Sequence, residues 1–243
     1  MKYSKNELLL QAVGVSQSHL VEFEHDARRV GIHCDMQPSF LSLFEILKRQ
    51  GYQLSIVSSY RSFERQFGIF AAKAQGKRAV LDSAGLPIDI STLSDSELLF
   101  AILRWSALPG LSRHHFGSDI DVYDAVNQRL VDVELVPSEV QGSGPSASLH
   151  NALDSLIANN DSLGFYRPYS VDVGGIAPER WHLSFSPASS IYEAILSEEA
   201  SLNYLLDMWA KHKLPLYDVL LKNIEIVLKR YVYVDTLNRP SWL

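Results

Sequence analysis

The stretch Ser112-Arg113-His114-His115-Phe116-Gly117-Ser118-Asp119-Ile120-Asp121 constrains this chain more than any other. It sets a histidine and an aspartate seven residues apart across a glycine, and Glu179-Arg180-Trp181-His182 follows about sixty residues later. Side chains of these types act together only if the fold carries both blocks to one point. Zinc takes about four ligands at ~2.0–2.2 Å from nitrogen or carboxylate oxygen, and a catalytic zinc keeps one position open for water. His114, Asp121 and His182 supply three ligands of that kind. Glu179, three residues before the last of them, stays free to act as general base on the water.

Gly117 lets the backbone turn between a loop histidine and a strand aspartate. On a strand, residues two apart share a face, so Asp119 and Asp121 both turn toward the site. Two readings of Asp119 follow: it orients a ligand or a substrate amine, or it replaces Asp121 on the metal. A calcium loop beginning at Asp119 is excluded, because the glycine and terminal glutamate of that motif are absent. His115 neighbours a ligand and reads as a packing or surface residue, and Trp181 as core packing that fixes its neighbours. The other histidines, His19, His25, His33, His150 and His212, have no such pattern around them. Arg61 alone would be a surface arginine after a strand. Attack of water on a carbonyl, however, develops negative charge on oxygen, and a charged donor beside the metal stabilises it.

With 243 residues, 47% hydrophobic and 21% charged, the chain is long enough to bury a sizeable core and is globular in composition. A net charge of -6 and no cluster of Lys and Arg argue against nucleic acid or an anionic membrane as partner. Cys34 is the sole cysteine, which excludes an intrachain disulfide. The polar start and the apolar run from Leu8 to Val15, broken by Gln11, make a poor secretion signal, and no segment reaches the roughly 18 apolar residues of a membrane span. The expected location is the cytoplasm.

In chain order, Leu20, Phe23, Ala27 and Val30 fall at helical spacing and predict a helix over 17–30, capped by Gly31. Pro38 opens a second helix with Phe40, Leu43, Phe44 and Leu47 as its apolar stripe, closed by Gly51. Residues 53–59 read as a strand delivering Ser58 to Gln66 at its end, with a helix on to about Gln75. Ser94 and Glu97 form a capping-box signature before Leu98, Leu99, Ile102 and Leu103. A strand over 119–123, a helix around Leu149 to Ile157 and a strand ending near Phe185 follow. After Pro187 the chain reads as helical, with a late strand over 230–234. Helices and strands mix without regular alternation, which favours α+β. The division expected is a zinc domain over 1–187 and a helical extension over 188–243, whose roles are a dimer contact, a cover for the cleft or completion of the core.

Ser-x-His-x-x-Gly-x-x-x-Asp, with Glu-x-Trp-His after it and Ser-x-Tyr-Arg-Ser…Gln before it, resembles the VanY-type D-alanyl-D-alanine carboxypeptidases of the M15, or LAS, zinc peptidases. The resemblance runs from about Pro38 to Pro187 with its blocks in the family's order. It implies a small antiparallel sheet with flanking helices around zinc, an arrangement shared with hedgehog domains. It implies zinc on His114, Asp121 and His182, favouring Asp121 over Asp119, and Glu179 as catalytic base. It implies that Arg61 and Gln66 meet the substrate's carbonyl or terminal carboxylate and that Ser112 lies near the bound peptide. The family commonly has alanine at the position of Asp119 and glycine at that of Ser59. The acid at Asp119 suits a substrate with a free amine.

The expected activity is therefore a zinc carboxypeptidase that removes C-terminal D-alanine from peptidoglycan-derived peptides. Within it, an L,D-carboxypeptidase on recycled murein tetrapeptide is preferred because no export signal is seen. The alternatives are a D,D-carboxypeptidase on D-Ala-D-Ala peptides and a non-catalytic zinc-stabilised binding protein. Retention of Glu179 and Arg61 weighs against the last. No phosphate-binding or dinucleotide fingerprint is present.

Overall fold

The computed structural model describes residues 2–243. A first helix, α1 (Lys5–Ala12), is capped by the Ser4 side chain, which accepts from the Glu7 amide. The stretch predicted as a helix over 17–30 is instead an antiparallel hairpin, β1 (Leu20–His25) with β2 (Arg28–His33). The stretch follows a period of two instead: Val21, Phe23 and His25 turn inward while Glu22 and Glu24 are exposed, and Ala27 falls in the turn. Asp26 and Ala27 both take left-handed conformations, φ 50° and 58°, which make the two-residue turn that matches strand twist. Tertiary partners then hold the hairpin: His25 Nε2 lies 3.1 Å from the Leu54 carbonyl, and Arg28 donates to the Ile56 carbonyl.

The next elements follow the sequence reading closely. They are α2 (Gln37–Arg49) with Pro38 in its first turn, β3 (Leu54–Ser58), α3 (Phe63–Ala74) and α4 (Asp95–Leu103). The capping box of Ser94 and Glu97 forms as expected. After β4 (Asp119–Asp124) come the short α5 (Pro137–Val140), α6 (Ala147–Ala158), β5 (Phe165–Tyr166), β6 (His182–Phe185), α7 (Ser186–Leu196) and α8 (Glu199–Lys211). The main sheet has order β3-β4-β6-β5, with every pairing antiparallel. The architecture is α+β, a small antiparallel sheet flanked by helices.

Alternation along the strands divides the sheet's faces. Ile56, Ile120, Val122, Leu183 and Phe185 enter one apolar cluster with α2 and α6, through Phe40, Leu43, Leu47, Leu149 and Leu153. The intervening residues, Asp119, Asp121, His182 and Ser184, face the other way. A second cluster lies on that side, built from α1, α3, α4 and the C-terminal segment. Leu205, Trp209, Leu214, Leu220 and Val227 share it with Phe63, Phe70, Leu99 and Leu103. The Trp209 indole donates to the Pro109 carbonyl at 2.8 Å.

The strand expected over 230–234 does not form; residues Leu228–Val232 are a wide helical turn. Leu228, Tyr231 and Val232 all pack on the second cluster, a spacing of three and four that a helix satisfies and a strand does not.

Candidate active site

Strand register builds the site. On β4 and β6, Asp121 pairs with His182 and Asp119 with Ser184; on β3, Ser58 pairs with Asp121. His114 comes from the short turn Arg113–Phe116, after which Gly117 at φ 66° reverses the chain into β4. The positive φ favours glycine there, and a Cβ at Gly117 would lie 2.4 Å from Leu20 Cδ2, so the Leu20 side chain would also have to shift. The turn is locked to the end of β3: the Arg61 amide donates to the His114 carbonyl at 3.1 Å. His115 Nδ1 lies 2.6 Å from the Arg61 carbonyl, and His115 Nε2 accepts from the Gly110 amide at 3.0 Å. His115 is thus a fully buried packing residue that ties three loops together.

The two sequence blocks, about sixty residues apart, do converge. Ligand atoms of His114, Asp121 and His182 lie within 4.8 Å of one another. His114 Nε2 is 3.3 Å from Asp121 Oδ2, and His182 Nδ1 is 3.2 Å from Asp121 Oδ1. The far nitrogens are engaged: His114 Nδ1 with the Ser59 carbonyl at 3.0 Å, and His182 Nε2 with Asp119 Oδ1 at 3.0 Å. His182 Nδ1 and Asp121 Oδ1, both buried, have no hydrogen-bond partner. Nitrogens fixed from behind, with a ring nitrogen and a carboxylate oxygen lacking hydrogen-bond partners in front, are the donor set a divalent metal requires once His182 gives up its proton. The residues therefore fit zinc.

Charge at the three candidate ligands is set by burial and by their neighbours together. Desolvation lowers the His114 imidazolium, leaving the ring neutral as a ligand must be. Burial would raise the Asp121 carboxyl, yet the adjoining histidines hold it far below its usual range. Burial likewise opposes a charged His182, but the Asp119 and Asp121 carboxylates outweigh it and raise the group to about 9.

Glu179 enters from the loop before β6, its amide donating to the Tyr169 carbonyl at 2.9 Å. Its Oε2 lies 3.7 Å from His182 Nδ1. Burial and then the nearby Asp121 charge raise its carboxyl to about 7, which suits a group that must both take and return a proton near neutrality. Glu179, Arg61, Ser112 and Trp181 line the same cleft of about 260 Å³ as the three ligands. Trp181 stacks on Trp105, ring centroids 6.5 Å apart.

Two residues expected to meet the substrate sit elsewhere. Gln66 is fully buried behind Arg61, accepting from the guanidinium at 2.8 Å and donating to the Ala107 carbonyl at 2.6 Å. It aims Arg61 and has no free polar atom for a peptide. Asp119 is also fully buried, its oxygens taken by His182, by Arg113 Nε at 2.7 Å and by Ser118 at 2.9 Å. Burial leaves no surface for a substrate amine, and Asp119 orients His182 instead.

Several residues joined to the candidate site escaped the sequence reading. Arg113 bridges Asp119, Glu193 at 2.6 Å, Ser184 at 2.7 Å and Tyr166 at 3.2 Å, and Glu193 also accepts from Arg239. A chain of contacts therefore runs from the C-terminal segment through Glu193, Arg113 and Asp119 to His182, one of the three candidate ligands. Lys73 lines the cleft as well. Nothing local marks Glu193, Arg239 or Lys73, because their partners are distant in sequence; Arg113 alone lay inside a motif block.

Residues 29–188 match the family model described as VanY, D-alanyl-D-alanine carboxypeptidase. An uncharacterized protein of Haemophilus influenzae is 37% identical over 97 residues, which are 39% of this chain and 66% of that protein, just under two thirds of its length. Among solved structures, one of VanYB in complex with D-alanine-D-alanine is 17% identical with a TM-score of 0.48, covering 78% of this chain and 90% of that one. A mutant of the vancomycin-resistance D,D-pentapeptidase VanY in complex with Zn(II) is 20% identical with a TM-score of 0.46, covering 73% and 86%. The LdcB LD-carboxypeptidase is 23% identical with a TM-score of 0.46, covering 76% and 78%. The family match spans well over half of the chain and includes every residue of the site except those supplied after β6, so the chain belongs to the VanY family of D-alanyl-D-alanine carboxypeptidases.

Proposed function

We propose that this chain is a zinc carboxypeptidase releasing D-alanine from the C-terminus of peptidoglycan-derived peptides, and that its substrate is the L,D-linked tetrapeptide ending in meso-diaminopimelate-D-alanine. The observation that carries the reading is Glu179, raised to about 7 and set in one cleft with Arg61 and the ligand cluster. Zinc held by His114, Asp121 and His182 would polarise the scissile carbonyl and acidify the attacking water. Glu179 takes the proton from that water and returns it to the departing amine. Arg61, aimed by Gln66 and by Ser58 at 3.3 Å, donates to the carbonyl oxygen as negative charge develops on it. The L,D preference draws on Lys73 and Arg78, which line the cleft without an ion pair among the described residues and suit a substrate carrying a second carboxylate beside the cut bond.

The test is mass spectrometry of the zinc-loaded chain with that tetrapeptide and, separately, with a pentapeptide ending in D-alanyl-D-alanine. Loss of one alanine from the tetrapeptide alone is expected, and loss from the pentapeptide alone would make the enzyme a D,D-carboxypeptidase. Replacing Glu179 with Ala should lower kcat by about 10²–10⁴-fold, the usual weight of a general base, while zinc stays bound. Undiminished turnover in that variant would remove the base role. If neither peptide shortens while zinc is bound, the site is a binding centre.

A further inference from the structure

Lys73 is held in the cleft without an anion. It lies near the end of α3 with 6% of its surface exposed, and its ammonium has one hydrogen bond, to Ser106 Oγ at 2.7 Å. Among the described residues it has no ion pair within 4.0 Å. Of the other cations lining the cleft, Arg113 is spent on Asp119 and Glu193, whereas Arg61 and Arg78 are also free of ion pairs among the described residues. Burying an ammonium costs several kcal/mol unless a counter-charge compensates it. The cleft's own carboxylates do not pair with it: Asp121 faces His114 and His182, Glu179 is the proposed base, and Glu134 is exposed to solvent with no ion pair to Lys73 among the described residues. Desolvation lowers the Lys73 ammonium to about 8, so it remains largely charged at neutral pH and is strengthened by an incoming anion.

Resting on the carboxypeptidase reading, we infer that Lys73, steadied by Ser106, is a specificity-determining residue that pairs with a carboxylate of the bound peptide. Arg78, exposed on the same wall, adds to the attraction. Two carboxylates of the proposed substrate have the required chemistry: the terminal one on the released residue and the side-chain one of diaminopimelate. Either would explain selection of a free peptide end or of a doubly acidic peptide, a discrimination that Arg61 at the carbonyl does not provide.

Calorimetry separates this inference from the activity. In the full chain loaded with zinc and carrying Glu179→Ala, so that peptide stays uncut, three peptides are titrated: the tetrapeptide, its C-terminal carboxamide, and the form with lysine replacing diaminopimelate. A charged hydrogen bond of about 1.5–3 kcal/mol corresponds to about 10–100-fold in Kd. Adding Lys73→Met should reduce by that factor either the preference for free acid over carboxamide, assigning the terminal carboxylate, or the preference for diaminopimelate over lysine, assigning the side-chain one. Ser106→Ala, which keeps the cation, should give a smaller loss in the same preference and guards against misfolding of the first variant. Both preferences unchanged in folded Lys73→Met protein would overturn the inference. Peptide that binds with these preferences but is not cut by the unmodified chain would overturn the carboxypeptidase reading alone.

Discussion

Asp119 and Asp121 sit two residues apart on β4 and both address His182, one from each side of its ring. Asp119 holds Nε2, so Nδ1 is left to face the proposed metal position, which Asp121 shares. The same pair makes His182 retain a proton up to about 9 in the absence of metal. Zinc bound at the proposed site would have to displace that proton, so its affinity should rise with pH and level off above about 9. One displaced proton costs about tenfold per pH unit below that point, or about 100-fold between pH 9 and pH 7. Competition with a chelator across this range, corrected for the chelator's own protonation, should show the slope; a flat profile would mean that His182 binds zinc without giving up a proton. Shared facing of the two aspartates was legible from the strand period. Their division of labour was not, since it depends on Arg113 standing behind one of them.

Among elements, the contrast lies between those with local punctuation and those without. Pro38 in α2, the capping box of α4 and Gly117 before β4 each act within a few residues, and each element formed as its sequence indicates. The β1–β2 hairpin carries an apolar spacing compatible with either period, and its outcome was decided by the Asp26-Ala27 turn and by contacts to β3. Helix α7 shows how an element can serve the site from outside it. Its Glu193 neutralises Arg113 from the side opposite Asp119. Glu193→Gln leaves the buried guanidinium with a weaker acceptor and should lower stability by about 1.5–3 kcal/mol, read from the urea midpoint at constant slope.

On the scale of the whole molecule, the sheet lies between two apolar clusters, and the site occupies the polar face between strand ends and the second of them. Residues 188–243 supply a large part of that second cluster. We therefore propose that they complete the core on which the site loop rests, rather than cover the cleft. Trp209, fully buried and bonded to Pro109 three residues before Ser112, is the sharpest probe. Trp209→Ala should cost about 3–5 kcal/mol, seen as a lowered Tm, with kcat/KM in the surviving folded fraction changed much less. A chain ending at residue 187 should lose its near-ultraviolet circular dichroism, since the partners of Phe63, Leu99 and Leu103 would be gone.

By itself the sequence determined which side chains are of types that suit a metal and which punctuated segments become helix or strand, because these depend on residue type and on neighbours within a few positions. The tertiary structure decided everything that couples distant residues. It buried Gln66 and Asp119 as supports, joined Glu193 and Arg239 to His182 through Arg113 and Asp119, and left Lys73 facing the cleft without an ion pair among the described residues. Burial and pairing are properties of what surrounds a side chain, and those surroundings come from segments up to about two hundred residues apart, as between Tyr192 and Gln11 in one hydrogen bond.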